Sequence, residues 1–521
     1  MSDKAATLNC PRWFHLGSAD LVFAALALVI FNGARSTMLD DPGLGWHLRN
    51  IDAMAAQGGR LTHDPFSGPR HGQPWLANQW LGELPLWLGE RWAGLEGIAA
   101  VTALSLAFLL RCLFRMLLRD GLPWPVAVFW TALAALGTSF SWVARPNIFT
   151  LLFVLITART CVLFHEGRMS RAATLWLLPL FAVWANCHGG FVAGLLMLGV
   201  ALAIEAGLAL AGPVVDRQQA RGRALHLGVL LAGAVAATLL NPYGVRLYPW
   251  VLRLLGDTYF MNLNDEWRSP DFHRAGMFRF ELLLLLVPVL FAASRYRPHA
   301  VEIALCVLWL HLALNGFRYV PLFVVALVPV LARCGRQLPW LEQASLPKEG
   351  GPARGPFAVQ TGPAPWAWSA VAFVAFLGMA RGLEGRYARH DPRFIPTAAL
   401  DRLIALHQAR EQDTVVFHGF NWGGYLTWKG WPRLRNWIDD RNEVQGREHC
   451  DEFFRVQQGE PGWLEVLDRT RVELVCIPPG EELAARLTEE THSCRGARAW
   501  REVYRDGHAV IFERDLSAAG P

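Results

Sequence analysis

A chain of 521 residues has the length of two to four soluble domains. The composition excludes that reading. Hydrophobic residues make up 53% and charged residues 18%, short of the roughly 25% charge of a soluble globular chain, and mean hydropathy is +0.23. Disorder, collagen and a disulfide-rich scaffold fail on the same numbers. A net charge of +5 without any basic run leaves no nucleic-acid stripe, so no nucleic-acid partner is expected.

In chain order, apolar runs fit about eleven membrane spans near 20–38, 95–117, 122–141, 147–164, 172–187, 190–211, 225–241, 279–293, 299–314, 319–333 and 365–381. The first, with its core from Leu21 to Phe31, also fits a cleaved signal peptide. No small-x-small cleavage site follows it, which favours a retained anchor. Every second connection is short and carries arginines (Arg111, Arg115, Arg119; Arg168, Arg171; Arg217, Arg221, Arg223; Arg295, Arg297; Arg333, Arg336). The positive-inside pattern predicts a cytoplasmic N-terminus. Segment 39–94, loop 242–278 and everything after 382 then lie on the outer face. Glu205 and Glu302, near cytoplasmic span ends, read as carboxylates snorkelling to water.

Segment 39–94 shows two helical patterns, Leu44–Leu48–Ile51–Ala55 and Leu76–Trp80–Leu84–Trp87–Leu88, the second with a kink expected at Pro85. Both suit helices lying in the interface. Asp40 and Asp41 stand where the first span meets that surface. They read either as a solvated helix cap or as a base or metal-binding carboxylate facing a lipid-borne substrate. His47, Asp64 and Glu83 are further candidates for that substrate.

Other polar groups fall on the same face. Arg145 opens the fourth span. Asn186-Cys187-His188-Gly189-Gly190 joins two spans and reads as an anion-binding nest or a tight turn around a satisfied histidine. Asn241-Pro242-Tyr243-Gly244 fits a turn. Glu266 lies in a charge-dense loop, and Arg318 is an outer-face cation or a snorkelling side chain.

The runs Asp41-Pro42-Gly43-Leu44-Gly45-Trp46-His47-Leu48 and His63-Asp64-Pro65-Phe66-Ser67 resemble motifs of a group of uncharacterised bacterial membrane proteins. Asn186 to Phe191, Asn241 to Gly244, Glu266 to Phe272 and Trp422 to Leu426 follow in the same order. The resemblance spans most of the chain, least over 336–365. That group is similar to the GT-C superfamily of membrane glycosyltransferases. The resemblance implies many spans, a catalytic acidic residue in the first outer loop, a polyprenyl-phosphate-linked sugar donor and often an outer C-terminal domain. Two departures stand out. The group's second Asp, which best matches the superfamily's catalytic position, is Gly43 here, and its His-Glu before Trp-Leu is Asn78-Gln79. Either Asp40 or Asp41 takes the acidic role, or the standard chemistry is lost.

Such a transfer needs a base for the acceptor hydroxyl and positive charge for the departing phosphate. Asp41 with Asp40, and Glu266, are the candidates for base or metal ligand. Arg145, His188 and Arg318 are the candidates for the phosphate. A hard divalent cation is compatible with these oxygens, and zinc would add His47 or His188; no metal or other cofactor is assigned.

The linker 336–364 reads as a cytoplasmic loop. Residues 386–521 read as a small soluble α/β domain, with strands at Thr414–His418, Glu473–Ile477 and Ala509–Glu513 and helices at Thr397–Gln408 and Glu481–Thr488. Gly419 to Tyr425 reads as a plain turn in preference to a ligand cradle, and Trp437-Ile438-Asp439-Asp440-Arg441 is open in the same way, as a ligand-facing segment or a strand end with solvated charges. One disulfide among Cys450, Cys476 and Cys494 is compatible with the spacing. The expected protein is thus a bacterial inner-membrane enzyme that meets membrane lipid and transfers sugar to a glycan or other envelope acceptor. The alternatives are a degenerate relative that binds glycan or scaffolds an envelope complex, and a lipid-linked glycan transporter.

Overall fold

The structure is a computed structural model describing residues 17–338 (apart from 35–36 and 275), 367–493 (apart from 387 and 411) and 500–514. Most of the linker 336–364, and Cys494, lie outside the described residues. The first part is a helical bundle: α1 (Ser18–Ala34), α2 (Leu44–Ala56), α3 (Trp80–Arg119), α4 (Trp124–Thr138), α5 (Asn147–His165), α6 (Arg171–Thr174), α7 (Leu177–Cys187), α8 (Phe191–Ala211), α9 (Val214–Thr238), α10 (Leu247–Gly256), α11 (Thr258–Leu263), α12 (Phe278–Ala293), α13 (Ala300–Asn315), α14 (Val320–Arg336) and α15 (Ala367–Gly382). Helix is found in each of the eleven apolar runs. Among the described residues, five helical segments are long and apolar enough to cross a membrane unaided: Trp80–Arg119, Trp124–Ser141, Asn147–His165, Phe191–Ala211 and Phe317–Arg336.

The kink expected at Pro85 is displaced. Pro85 stays inside α3, and the backbone leaves helical geometry at Ala93 and Gly94, where Gly94 takes a φ of 57°. Glycine adopts that conformation at little cost. The bend brings the two arms together, so that a Cβ on Gly97 would lie 1.9 Å from the Gly89 carbonyl oxygen.

The C-terminal part contains α16 (Thr397–Gln408), β1 (Thr414–His418), α17 (Gly423–Gly430), β2 (Leu434–Asn436), α18 (Asn442–Gln457), α19 (Trp463–Arg469), β3 (Val472–Ile477), α20 (Glu482–Ser493), β4 (Trp500–Arg505) and β5 (Val510–Arg514). The sheet order is β2-β1-β3-β5-β4, parallel from β2 to β3 and antiparallel beyond. Val-rich β1 and β3 sit at its centre, with helices on their flanks, as buried parallel strands require. The strands β2 and β4 are additions to the sequence reading.

This sheet unit is seated on the bundle. The residues from Gly419, expected as a turn, run instead through one tight turn into α17, whose first glycines press on α2. A Cβ on Gly45 would lie 1.8 Å from the Gly424 carbonyl oxygen, and one on Gly424 would lie 1.9 Å from that of Pro42. Only glycine permits so close a backbone approach. Leu44, Leu48 and Leu86 share one apolar core with Leu403, Val416, Leu426 and Ile511. Buried Glu96 of α3 accepts the amides of Gly385, Arg386 and Ala388, all at 3.0 Å, and so pins the chain entering this unit.

At the opposite end of the bundle, Glu205 and Glu302 are not in water. Each is buried and ion-paired, Glu205 to His165 (2.6 Å) and Arg223 (2.9 Å), Glu302 to Arg333 (3.0 Å). Helices that pack closely leave no path for a two-carbon stem to reach solvent, so cations come to the carboxylates instead. Cys450 and Cys476 are free, buried thiols.

Candidate active site

Arg145 organises the site. It stands in the turn just before α5, fixed by the bond from the Ala144 amide to the Met38 carbonyl (2.9 Å). Its Nε is ion-paired with Asp41. Its Nη2 reaches Asp440 Oδ2 at 2.5 Å and its Nη1 reaches Glu266 Oε1 at 3.4 Å. Asp41 also accepts the Gly43 amide at 2.7 Å, which shapes the entry to α2. Asp440 accepts the Trp46 indole N–H at 2.7 Å. Three carboxylates thus surround one guanidinium. Burial pushes the Asp41 carboxyl up to about 6, against the pull of Arg145, and raises Asp440 for the same reason.

Beside this cluster lies a cavity of about 380 Å³. Its walls are apolar (Leu151, Val192, Leu196, Leu312, Leu322) and its polar rim holds His188, Glu266, Arg318, Glu443, Asn78 and Gln79. Arg318 is stacked over the Trp267 ring at 4.0 Å and makes no salt bridge among the described residues, with the Glu266 charge acting on it from farther off. His188 Nδ1 accepts the Gly190 amide at 3.0 Å and lies 3.0 Å from the Thr150 hydroxyl. That bond places the ring proton on Nε2. Burial, then Arg318 and Arg145, lower the His188 pKa to about 3, so the ring is a neutral donor. The Gly190 amide serves the histidine rather than an anion, and His188 lies on the cavity wall.

The remaining candidates lie elsewhere. Asp40 accepts the Asp391 amide at 2.9 Å and takes no part in the Arg145 cluster. His47 and Asn50 bond the two oxygens of Glu83 at 2.7 Å and 2.5 Å, all three buried between α2 and α3. Desolvation, then the Arg145 charge, hold His47 well below its ordinary value. Asn186 bonds the Trp80 indole (2.9 Å) and the Leu240 carbonyl (2.8 Å), joining three helix ends. Asp64 accepts the Phe66 and Ser67 amides and bonds Arg441 at 2.6 Å. Arg441, fully buried, is held in turn by Asp439 at 2.5 Å, with Trp75 and Phe66 rings 4.7 and 5.0 Å away. This clasp ties the first long connection to the sheet unit. With both oxygens taken up by the fold, Asp64 and Glu83 have little left for a ligand, whereas Asp40 spends one oxygen on the Asp391 amide.

Among the described residues, one group of three acidic or histidine side chains lies close enough to share an ion: Glu166, His299 and Glu302. It sits at the opposite end of the bundle, and Arg333 already bonds both carboxylates. Around Arg145 the guanidinium occupies the place between the carboxylates.

Asp440, Glu443, Trp46 and Trp267 are absent from the sequence-based candidates. The signal for Asp440 was present in Trp437 to Arg441, but a charged strand end has the same composition. Only tertiary contact separates the buried Asp439 from Asp440 at Arg145, 295 residues away in the chain.

No protein-family model and no curated protein matches the sequence. Solved structures do. The Archaeoglobus fulgidus oligosaccharyltransferase AglB, in complex with an inhibitory peptide and a dolichol-phosphate, superposes with a TM-score of 0.57 at 12% identity, over 96% of this chain and 74% of that one. A second structure of the Archaeoglobus fulgidus oligosaccharyltransferase, tethered to an acceptor peptide, gives 0.57 at 13% identity over 91% and 69%. ArnT from Cupriavidus metallidurans, bound to undecaprenyl phosphate, gives 0.50 at 14% identity over 96% and 99%. The chain therefore has the fold of the GT-C membrane glycosyltransferases, as its motifs implied.

Proposed function

We propose that this protein transfers a sugar from a polyprenyl-phosphate-linked donor to an acceptor of the cell envelope, at the outer face of a bacterial inner membrane. The N-terminus is then cytoplasmic, and the sheet unit and the Arg145 cluster are extracytoplasmic. One observation carries the reading: an apolar-walled cavity whose polar rim holds Arg318 and the neutral His188, next to a carboxylate cluster. Apolar walls suit an isoprenoid chain. A guanidinium not held in a salt bridge and an imidazole N–H suit the phosphate that leaves with it. The bound dolichol-phosphate and undecaprenyl phosphate of the two neighbours support the same class of ligand.

In this reading the sugar lies between Arg318 and the carboxylates around Arg145. The acceptor loses its proton to a carboxylate as it attacks the anomeric carbon. Phosphate charge develops on the far side, where Arg318 and His188 receive it. Arg145 keeps Asp41 in place rather than meeting the phosphate, because its three donor edges are already turned to carboxylates.

The test is transfer by purified protein in nanodiscs from a panel of undecaprenyl-phosphate sugars, together with binding of undecaprenyl phosphate itself. Turnover that falls with Arg318→Ala supports the proposal. Binding without turnover on any donor would favour the degenerate relative, and neither binding nor turnover would reject the lipid-phosphate cavity.

A further inference from the structure

Gly43 and Asp440 fill one space. A Cβ on Gly43 would stand 2.8 Å from Asp440 Oδ2 and 3.1 Å from Oδ1. The position where the resemblance expects a first-loop carboxylate therefore holds a carboxylate after all, supplied by the segment between β2 and α18. The two residues exclude each other sterically: any side chain at 43 would displace the Asp440 carboxylate, and glycine admits it.

Asp440 and Asp41 are the two close carboxylate partners of Arg145, and they are not equivalent. The Asp41 side chain is 3% exposed and spends one oxygen on the Gly43 amide and the other on Arg145. The Asp440 side chain is 16% exposed. Three residues further on, Glu443 lines the cavity, so this segment already forms part of its wall. Trp46 and Arg145 fix the two Asp440 oxygens from the bundle side. Both carboxylates have their two oxygens held, and what separates them is access, because the Asp440 side chain keeps an open edge that Asp41 lacks.

Resting on the glycosyl-transfer reading above, we propose that Asp440, carried in by the C-terminal sheet unit, is the catalytic base of this protein in place of a first-loop aspartate. The acceptor O–H proton passes to an Asp440 oxygen as the acceptor oxygen bonds to the anomeric carbon. The bond from that carbon to the phosphate oxygen breaks, and its electron pair leaves on the polyprenyl phosphate. Asp41 is a positioning residue that holds Arg145. The sheet unit is then part of the active site, and the first-loop motif is incomplete without it.

The experiment compares wild type, Asp440→Asn, Asp440→Ala and the exchange Gly43→Asp/Asp440→Ala in nanodiscs, reading kcat, KM and undecaprenyl-phosphate binding. The expected result is a fall in kcat of about 10²-fold or more in Asp440→Asn, with lipid binding within about threefold of wild type. The exchange variant, which returns a carboxylate to the same space from the other side, should exceed Asp440→Ala by about tenfold or more. Turnover of Asp440→Asn close to wild type would overturn the proposal while leaving glycosyl transfer standing. So would loss of kcat and lipid binding together without recovery in the exchange variant, which marks a purely structural residue. A wild-type protein that binds undecaprenyl phosphate yet transfers from no donor would instead remove the transfer reading, and the role of Asp440 with it.

Discussion

Replacing Asp64 by alanine should loosen the seating of the sheet unit on the bundle. Asp64 is fully buried and satisfies three donors: the Phe66 amide (3.0 Å), the Ser67 amide (3.1 Å) and Arg441 Nη1 (2.6 Å). Removing it leaves two buried amides without a partner and breaks half of a buried ion-pair clasp. Loss of one member of a buried pair costs about 3–5 kcal/mol, so the undocked population should rise by roughly a hundredfold or more. Asp439 still holds Arg441, at 2.5 Å, which sets the effect nearer the lower figure. Asp64→Asn keeps an acceptor for one of the two amides and should recover only part of the loss in free energy. The assay is amide hydrogen exchange of α17 and β2 in nanodiscs, because it reports local opening without requiring the whole membrane protein to unfold reversibly. Exchange in Asp64→Ala within threefold of wild type would refute the claim that this clasp fastens the sheet unit.

The other expected outcomes are more compact. Arg318→Ala should weaken undecaprenyl-phosphate binding by roughly ten- to a hundredfold, the worth of a charged hydrogen bond; unchanged binding would place the phosphate elsewhere. Gly45→Ala should cost at least about 1–3 kcal/mol of docking, since its Cβ would meet the Gly424 carbonyl oxygen at 1.8 Å. Equal exchange rates in α17 would contradict that packing. Burial lifts Asp41 from its ordinary value of 3.8 to about 6. Between these values the folded chain binds more protons than the unfolded one, so stability falls as pH rises through that window and is level above it. Asp41→Asn removes the titration, and its stability relative to wild type should improve from about pH 4 to about pH 6. A difference that does not vary with pH would show that Asp41 is not buried as described.

How much of this was legible in the chain follows from the range of the forces involved. Hydrophobic runs report local burial in lipid or core, so helix at all eleven apolar runs, and the extents of α16, β1 and β3, could be read almost residue by residue. Arg145, Glu266, His188 and Arg318 stood out because charged or polar groups between apolar runs need a reason, and the structure brings these four together. The roles of Asp40, Asp64, Glu83 and Asn186 could not be read in the same way. A carboxylate or amide satisfied by backbone amides and a distant arginine has the same letter in the sequence as one that faces a ligand. Gly43 marks the sharpest division. Its lack of a side chain looked like a missing carboxylate in the local motif, and it becomes room for Asp440 once α17 has packed on α2. That approach depends on Gly45 and Gly424 bringing two backbones into contact, and no periodicity or composition records which distant surface a glycine is small for.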